Sequence, residues 1–161
     1  MLMALAFMPM LFEAHRSTRN ERALRAMGAR EPEGDVYALM QVAYPASFLA
    51  MIAESWLRGT QPDAIFAAGV AVFFAAKVLK YWAIATLGWR WTFRVLVPPG
   101  SSRILAGPYR LLRHPNYVAV MGELGGMALM AHALVSGPLA MAGFGLLMWL
   151  RVRVEERALR M

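Results

Sequence analysis

Hydrophobic positions gather into five runs, separated by segments rich in charge, glycine and proline. The runs cover residues 1–12, 37–57, 65–87, 117–133 and 138–149. A membrane-crossing helix needs about 20 predominantly apolar residues, so the first run is short and is expected to be tilted or only partly inserted. The pattern predicts an all-α integral membrane protein with about five transmembrane helices, forming one domain over residues 1–161.

The composition supports lipid as the solvent for much of the chain. Apolar residues make up 59 % of the sequence and charged residues 17 %, against about 25 % charged residues in ordinary soluble domains. The mean hydropathy is +0.45. The sequence has no cysteine, which excludes disulfides, thiolate metal sites and a cysteine nucleophile.

The positive charge concentrates in three of the connections between the runs. Residues 13–35, 88–116 and 151–161 hold five, five and four of the 17 Lys and Arg residues. The positive-inside rule then predicts a cytoplasmic C-terminus and an outside N-terminus. Because the arginines lie between apolar runs, anionic lipid headgroups are the expected partner of the net +7 charge, and nucleic acid is not. Lys77 and Lys80, inside the third run, are expected to snorkel towards the basic side.

Two features inside the fourth run have alternative interpretations. Gly122 and Gly126 form a G-x-x-x-G pattern, which allows either close helix packing or space for a ligand. Glu123 lies between them, where an ionisable side chain is energetically expensive. It is either a general base or the structural partner of Lys77, Lys80 or a backbone group.

The polar and aromatic segment 107–117, G-P-Y-R-L-L-R-H-P-N-Y, leads straight into the fourth run. One interpretation is an interfacial belt of Tyr and Arg. The other is an anion-binding pocket in which Arg113 and His114 hold a carboxylate or a phosphate. Residues 89–94, W-R-W-T-F-R, are likewise either an aromatic and cationic belt or a portal where a lipid tail meets an active site.

Two motifs resemble those of the isoprenylcysteine carboxyl methyltransferase family. They are G-P-Y-R-x-x-R-H-P-x-Y at residues 107–117 and R-x-x-x-E-E-x-x-L at residues 151–159. The wider group includes phospholipid methyltransferases and bacterial enzymes that O-methylate alkylpyrones and alkylresorcinols, and residues 19–22 and 37–40 resemble that bacterial subgroup more loosely. The resemblance implies a small helical membrane enzyme in which residues 88–161 form the core that binds S-adenosylmethionine at the cytoplasmic face.

The resemblance also implies roles for individual residues. Those expected to bind the cofactor are Ser101, Ser102, Arg103, Ile104, Tyr109, His114, Pro115, Asn116, Tyr117 and Glu155. The family often has histidine where this chain has Ser101. Arg151 is expected to face the acceptor, and together with Glu123 it is a candidate catalytic residue. These roles require that the 107–117 turn and the helix carrying Glu155 meet on the arginine-rich side of the bilayer.

The expected chemistry needs neither a metal nor a covalent intermediate, because a sulfonium is already an activated leaving group. A carboxylate acceptor needs an orienting cation such as Arg151, whereas a phenolic or enolic hydroxyl benefits from a general base. We therefore expect O-methylation of a lipophilic acceptor that enters from the bilayer, with S-adenosylhomocysteine as the other product. The acceptor is a prenylcysteine carboxylate or an alkylpyrone or alkylresorcinol hydroxyl. The alternatives are phospholipid N-methylation and a non-catalytic membrane protein with an anion-binding belt.

Overall fold

A computed structural model describes residues 2–100 and 104–158, with side chains as far as residue 157. The described chain has five α-helices and two 3₁₀ turns. The helices are α1 (Leu2–Ala26), α2 (Tyr37–Arg58), α3 (Ala64–Leu87), α4 (Pro115–Met130) and α5 (Ser136–Ala158), and the turns are Gly88–Arg90 and Gly107–Arg110. The described residues contain no strand beyond an isolated bridge between Arg30 and Val97. The prediction of an all-α fold built on the five hydrophobic runs is therefore confirmed.

The first helix is longer than the sequence pattern predicted. Residues 13–35 were expected to be a charged linker, but α1 continues through this segment to Ala26. The segment is rich in Ala, Arg, Glu and Leu, which favour helix even when they are charged. Arg25 also donates a 3.0 Å hydrogen bond to Glu21, one turn earlier on the exposed face. The connection between α1 and α2 is thus limited to residues 27–36.

Helices α3 and α4 pack with their backbones almost in contact. A Cβ atom added at Gly126 would lie 2.7 Å from the backbone nitrogen of Phe73, and one at Gly122 would lie 2.8 Å from the Cβ of Ala76. Such distances leave no room for a side chain at either position. The interpretation of G-x-x-x-G as a helix-packing motif is confirmed.

The three basic connections meet at one end of the helices. Arg94 pairs with Glu21 at 3.0 Å and with Glu31 at 2.6 Å, which joins the α3–α4 connection to α1 and to the α1–α2 connection. Arg151 of α5 lies 3.6 Å from Asp35 in the same region. The prediction that these connections share one side is confirmed.

The other two connections lie together at the opposite end. Glu54 near the end of α2 accepts hydrogen bonds from the backbone nitrogens of Val135 and Ser136 at the start of α5. His132 lies 3.1 Å from Asp63. A hydrogen bond from the backbone of Phe66, followed by the contact with His132, lowers the pKa of Asp63, so this carboxylate caps α3 in its charged form.

Apolar side chains cover much of the outer surface of the helices. Exposed examples on four helices are Leu11, Val42, Val78 and Leu139, each more than 60 % exposed. Within the described residues, one helical stretch, Ala64–Arg90, is both long and apolar enough to cross a membrane. The sequence predicted about five such helices. The difference arises because α1 and α5 carry charges through their halves at the basic end, α4 has only 16 residues, and α2 contains polar residues such as Gln41 and Glu54.

Candidate functional site

A cavity of about 510 Å³ lies at the basic end, between α1, α2, α4, α5 and residues 87–97. This volume is within the range of about 300–1,000 Å³ that is typical of small-molecule sites. Its polar lining includes Tyr109, His114, Asn116, Tyr117, Arg151 and Glu155. Its apolar lining includes Phe7, Met10, Pro45, Val120, Phe144 and Met148.

The residues on one face of α5 show how the polar and apolar parts of the cavity are arranged. Phe144, Met148, Arg151 and Glu155 all line the cavity, and they are spaced three or four residues apart. This spacing places them on one side of a helix, along about 16 Å of its axis. The cavity therefore changes from apolar to polar towards the C-terminal end of α5. We call the part around His114, Tyr117 and Glu155 the polar end.

The two sequence motifs meet at the polar end. The hydroxyl of Tyr117 donates a 2.8 Å hydrogen bond to Oε2 of Glu155 and accepts one of 3.1 Å from Nε of Arg151. The ring of His114 stacks on that of Tyr117 with 5.4 Å between centroids, and its Nδ1 lies 3.8 Å from Glu155. The prediction that the 107–117 turn and the α5 double-glutamate segment lie together at the arginine-rich end is confirmed.

Glycine and proline explain the local path of the 107–117 turn. Gly107 has a φ of +52°, and a Cβ atom there would lie 2.3 Å from Oγ1 of Thr86. Only glycine satisfies both the left-handed conformation and this close approach to α3. Pro115 is the first residue of α4, where its missing N–H leaves no helical bond unmade. His114 and Asn116 are thereby held on either side of a fixed helix start.

Buried polar atoms at this end have no hydrogen-bond partner in the described part of the chain. They include Nε2 of His114 and Oδ1 of Asn116. Leaving such an atom unpaired costs about 1–3 kcal/mol, so both atoms are suited to bond a ligand or water. Burial, with the nearby Glu155 carboxylate, raises the pKa of Tyr109. Its hydroxyl therefore stays protonated at neutral pH and can donate a hydrogen bond.

The structure groups most, but not all, of the predicted site residues. Tyr109, His114, Asn116, Tyr117, Arg151 and Glu155 line the cavity together. Pro115 supports them from a buried position, and Ile104 is not among the residues that line this cavity. Ser101, Ser102 and Arg103 lie outside the described residues. Arg113 is exposed.

Four charged residues form a buried ion network beside the cavity, and it corrects one prediction. Lys77 pairs with Glu13 and Glu123 at 3.0 Å each, and Lys80 pairs with the same two carboxylates at 2.6 and 3.2 Å. The lysines are only 6 % and 2 % exposed, so the prediction that they snorkel is wrong. Acids supplied by α1 and α4 neutralise them in place. Tyr44 also donates a hydrogen bond to Glu123.

This network bears on the two interpretations of Glu123. Glu123 is fully buried, pairs with both lysines and is not among the residues that line the cavity, whereas Glu13 and Lys80 are. The contacts agree with the structural-partner interpretation. The role of Glu123 as a general base stays a prediction.

Residues 89–94 do not form a simple surface belt. Trp91 is 2 % exposed, and its carbonyl accepts a 2.8 Å hydrogen bond from Asn20. The backbone nitrogen of Phe93 donates a 2.7 Å hydrogen bond to Ser17. The belt interpretation is therefore wrong for Trp91, because polar groups on α1 draw the segment inwards. The segment becomes a wall of the cavity.

Sequence reasoning missed the contribution of α1 to this region. Its buried residues Glu13, Ser17, Asn20 and Leu24 follow the spacing of a single helical face. That spacing was present in the sequence, but three of the four residues are polar. A search for apolar periodicity alone does not find such a face.

Comparison with known proteins gives the following relationships. A model of the isoprenylcysteine carboxyl methyltransferase (ICMT) family matches residues 69–161. The chain is 30 % identical over 160 residues to the uncharacterized protein YpbQ of Bacillus subtilis, covering 99 % of this chain and 95 % of that protein. It is 26 % identical over 144 residues to an uncharacterized protein of Haemophilus influenzae, covering 89 % of this chain and 84 % of the other. No solved structure shows a significant match.

Proposed function

The chain belongs to the isoprenylcysteine carboxyl methyltransferase family of membrane methyltransferases, and we propose that it uses S-adenosylmethionine to methylate a lipophilic acceptor. One observation carries this proposal. The two motifs of the family build the polar end of a cavity, and apolar residues continue from that end along α5. A polar methyl donor requires polar surroundings, whereas a lipid-like acceptor requires apolar surroundings. This cavity has a part of each kind.

The polar end fits the chemical groups of S-adenosylmethionine. Glu155 offers a carboxylate for its cationic groups, and Oδ1 of Asn116 is a buried acceptor suited to an amino group. His114 and Tyr109 supply further hydrogen-bonding atoms. When bound, the cofactor supplies a methyl group on a positively charged sulfur. Ser101, Ser102 and Arg103 are proposed to contribute to the same binding site.

The apolar part of the cavity fits the chain of the acceptor. Phe144 and Met148 continue the face of α5 that carries Arg151, and Phe7 and Met10 of α1 also line this part. These side chains exclude water and align the acceptor with the polar end, which is how a displacement with an activated leaving group is accelerated. We propose a prenylcysteine carboxylate or an alkylpyrone or alkylresorcinol hydroxyl as the reacting group.

We also propose a membrane arrangement. The helices lie in a bacterial inner membrane as a bundle of about five spans, with the basic end towards the cytoplasm and the N-terminus outside. Exposed apolar residues on α1, α2, α3 and α5 support contact with lipid chains. The arginines of the three basic connections would then lie among anionic lipid headgroups.

Isothermal titration with S-adenosylhomocysteine tests cofactor binding on the protein purified in detergent. We expect a 1:1 complex, weakened about tenfold by His114→Ala, because a buried hydrogen-bonding group is lost. His15→Ala is the matched control, since His15 is exposed on α1. If the unaltered protein shows no binding, the cofactor proposal fails and the alternative of a non-catalytic membrane protein gains support.

Transfer of a radiolabelled methyl group into lipid extracts tests the class of acceptor. A methyl ester formed on a carboxylate is released as methanol by alkali, whereas a methyl ether formed on a hydroxyl is not. A label that stays on phospholipid headgroups would instead indicate N-methylation and would contradict the proposed O-methylation.

A further inference from the structure

The guanidinium of Arg151 is held by three separate segments of the protein. Its Nε donates to the hydroxyl of Tyr117 at 3.1 Å, its Nη2 donates to the carbonyl of Phe93, and its Nη1 lies 3.6 Å from Oδ1 of Asp35. The residue is 5 % exposed. All three nitrogens thus have protein partners, as expected of a group that is fixed in place by its surroundings.

Asp35 supplies the charge opposite this guanidinium. Among the described residues, it is the one carboxylate within 4.0 Å of the Arg151 nitrogens, and its side chain is 3 % exposed. Its two oxygens accept hydrogen bonds from the backbone nitrogens of Tyr37 at 3.2 Å and Val95 at 3.3 Å. The carboxylate is therefore held by the first residue of α2 and by the cavity wall, as well as by its contact with Arg151.

The effect of this pair extends to the polar end through Tyr117. The phenol oxygen accepts a hydrogen bond from Nε of Arg151, and its own proton is directed to Oε2 of Glu155. A hydroxyl that accepts from a cation becomes a better donor, because neighbouring hydrogen bonds polarise one another. The contacts form a continuous series from Asp35 through Arg151 and Tyr117 to Glu155.

We propose that Asp35 is a positioning residue that acts through Arg151 and Tyr117 to orient the Glu155 carboxylate for the cationic cofactor. This inference rests on the proposed function. It makes Arg151 part of the positioning series, in place of the acceptor contact expected from the sequence. It also assigns a role to residues 1–68, which lie outside the region matched by the family model.

A double-mutant cycle on cofactor affinity tests this inference in the full-length protein. Asp35→Asn keeps the size of the side chain and one of its two acceptor oxygens but removes the charge. We expect it to weaken S-adenosylhomocysteine binding about three- to tenfold in the unaltered background, less than the loss of a direct charged contact, because Asp35 acts through two intervening residues. In an Arg151→Met background it should change the affinity by less than about twofold, because the partner through which it acts is gone.

A second background keeps the test decisive if Arg151→Met does not fold. Tyr117→Phe removes the linking oxygen and keeps the ring, and Asp35→Asn should again have little further effect there. Glu33→Gln, in the same connection but exposed, is the matched control and should leave binding unchanged.

The possible outcomes separate this inference from the proposed function. Equal losses in all backgrounds, or no loss in the unaltered one, would overturn the positioning role and leave the cofactor site standing. An unaltered protein that does not bind S-adenosylhomocysteine would overturn the proposed function and this inference together.

Discussion

Two charged clusters border the same cavity, and they differ in how completely their polar groups are paired. In the ion network, each of Glu13, Lys77, Lys80 and Glu123 has two partners of opposite charge within 3.2 Å. At the polar end, Oδ1 of Asn116 has no hydrogen-bond partner within the described chain. Nε2 of His114 has none either, and its nearest carboxylate is that of Glu156 at 3.6 Å.

The difference indicates a different role for each cluster. In the neutral network every charge is closely paired, although Oε1 of Glu123 has no hydrogen-bond partner within the described residues. The network therefore has little charge left for a ligand, and it connects α1, α3 and α4. Polar atoms beside a cavity that lack a hydrogen-bond partner in the protein can form a hydrogen bond with a ligand. We therefore expect changes in the network to act on stability and changes at the polar end to act on ligand binding.

The largest effect is expected from unbalancing the network. Glu123→Leu leaves two buried lysines facing one carboxylate, which should lower the free energy of unfolding by about 3–5 kcal/mol. Adding Lys77→Met restores neutrality and keeps the 2.6 Å pair of Glu13 and Lys80. Denaturant unfolding in detergent should show most of the stability regained. A double variant no more stable than Glu123→Leu alone would show that charge balance is not what the network provides.

At the polar end, we expect a smaller effect, which falls on ligand binding and not on stability. Tyr117→Phe removes the hydroxyl between Arg151 and Glu155 and keeps the ring that stacks on His114. We expect binding of S-adenosylhomocysteine to weaken about three- to tenfold and the free energy of unfolding to change by no more than about 1 kcal/mol. The reverse pattern, a large loss of stability with unchanged binding, would erase the distinction between the clusters.

The smallest effect is expected from a third, partly exposed cluster, in which Glu31 pairs with both Arg25 and Arg94. Burial raises the pKa of Glu31, but hydrogen bonds from Arg25 and Arg94 outweigh burial, so the pKa is lowered overall. A lowered pKa means that the charged form stabilises the fold above the ordinary carboxyl range and that this contribution disappears as the pH falls through the lower, folded value.

Glu31→Gln should therefore lower the free energy of unfolding by about 0.2–1 kcal/mol at neutral pH and by less in acid. Unfolding curves measured at several pH values, with exposed Glu33→Gln as the control, give this comparison. A loss that is independent of pH would contradict the assigned role of the Glu31 charge.

The sequence predicted the helices and the shared side of the two motifs from local patterns, and the family resemblance implied that the motifs meet. Long apolar runs indicate helices, and the charge bias of the connections places residues 107–117 and 151–158 at the same end. The number of helices long and apolar enough to cross a membrane was less predictable. Charges on α1 and α5 are stabilised by tertiary partners, such as Asp35 for Arg151, that are distant in sequence.

The pairing of Glu123 with Lys77 and Lys80 was one of its two predicted interpretations. The part that Glu13 plays in the ion network and the Asp35 contact were not predicted, for the same reason. Glu13 and Lys77 are 64 residues apart. Their pairing requires α1 and α3 to pack so that these two side chains lie at the same level along the helices. Asp35 follows the helix-breaking Pro32 and Gly34, so the sequence offers only a turn or a cap as its role. Such contacts depend on how the helices pack, which periodicity does not specify.

The most direct test of this account is a parallel titration of two variants with S-adenosylhomocysteine. One is Glu155→Gln, at the polar end, and the other is the neutral double variant Lys77→Met with Glu123→Leu, in the network. We expect the first to weaken binding at least about tenfold and the second to stay within about twofold of the unaltered protein. Binding that survives in Glu155→Gln but is lost in the double variant would contradict this account.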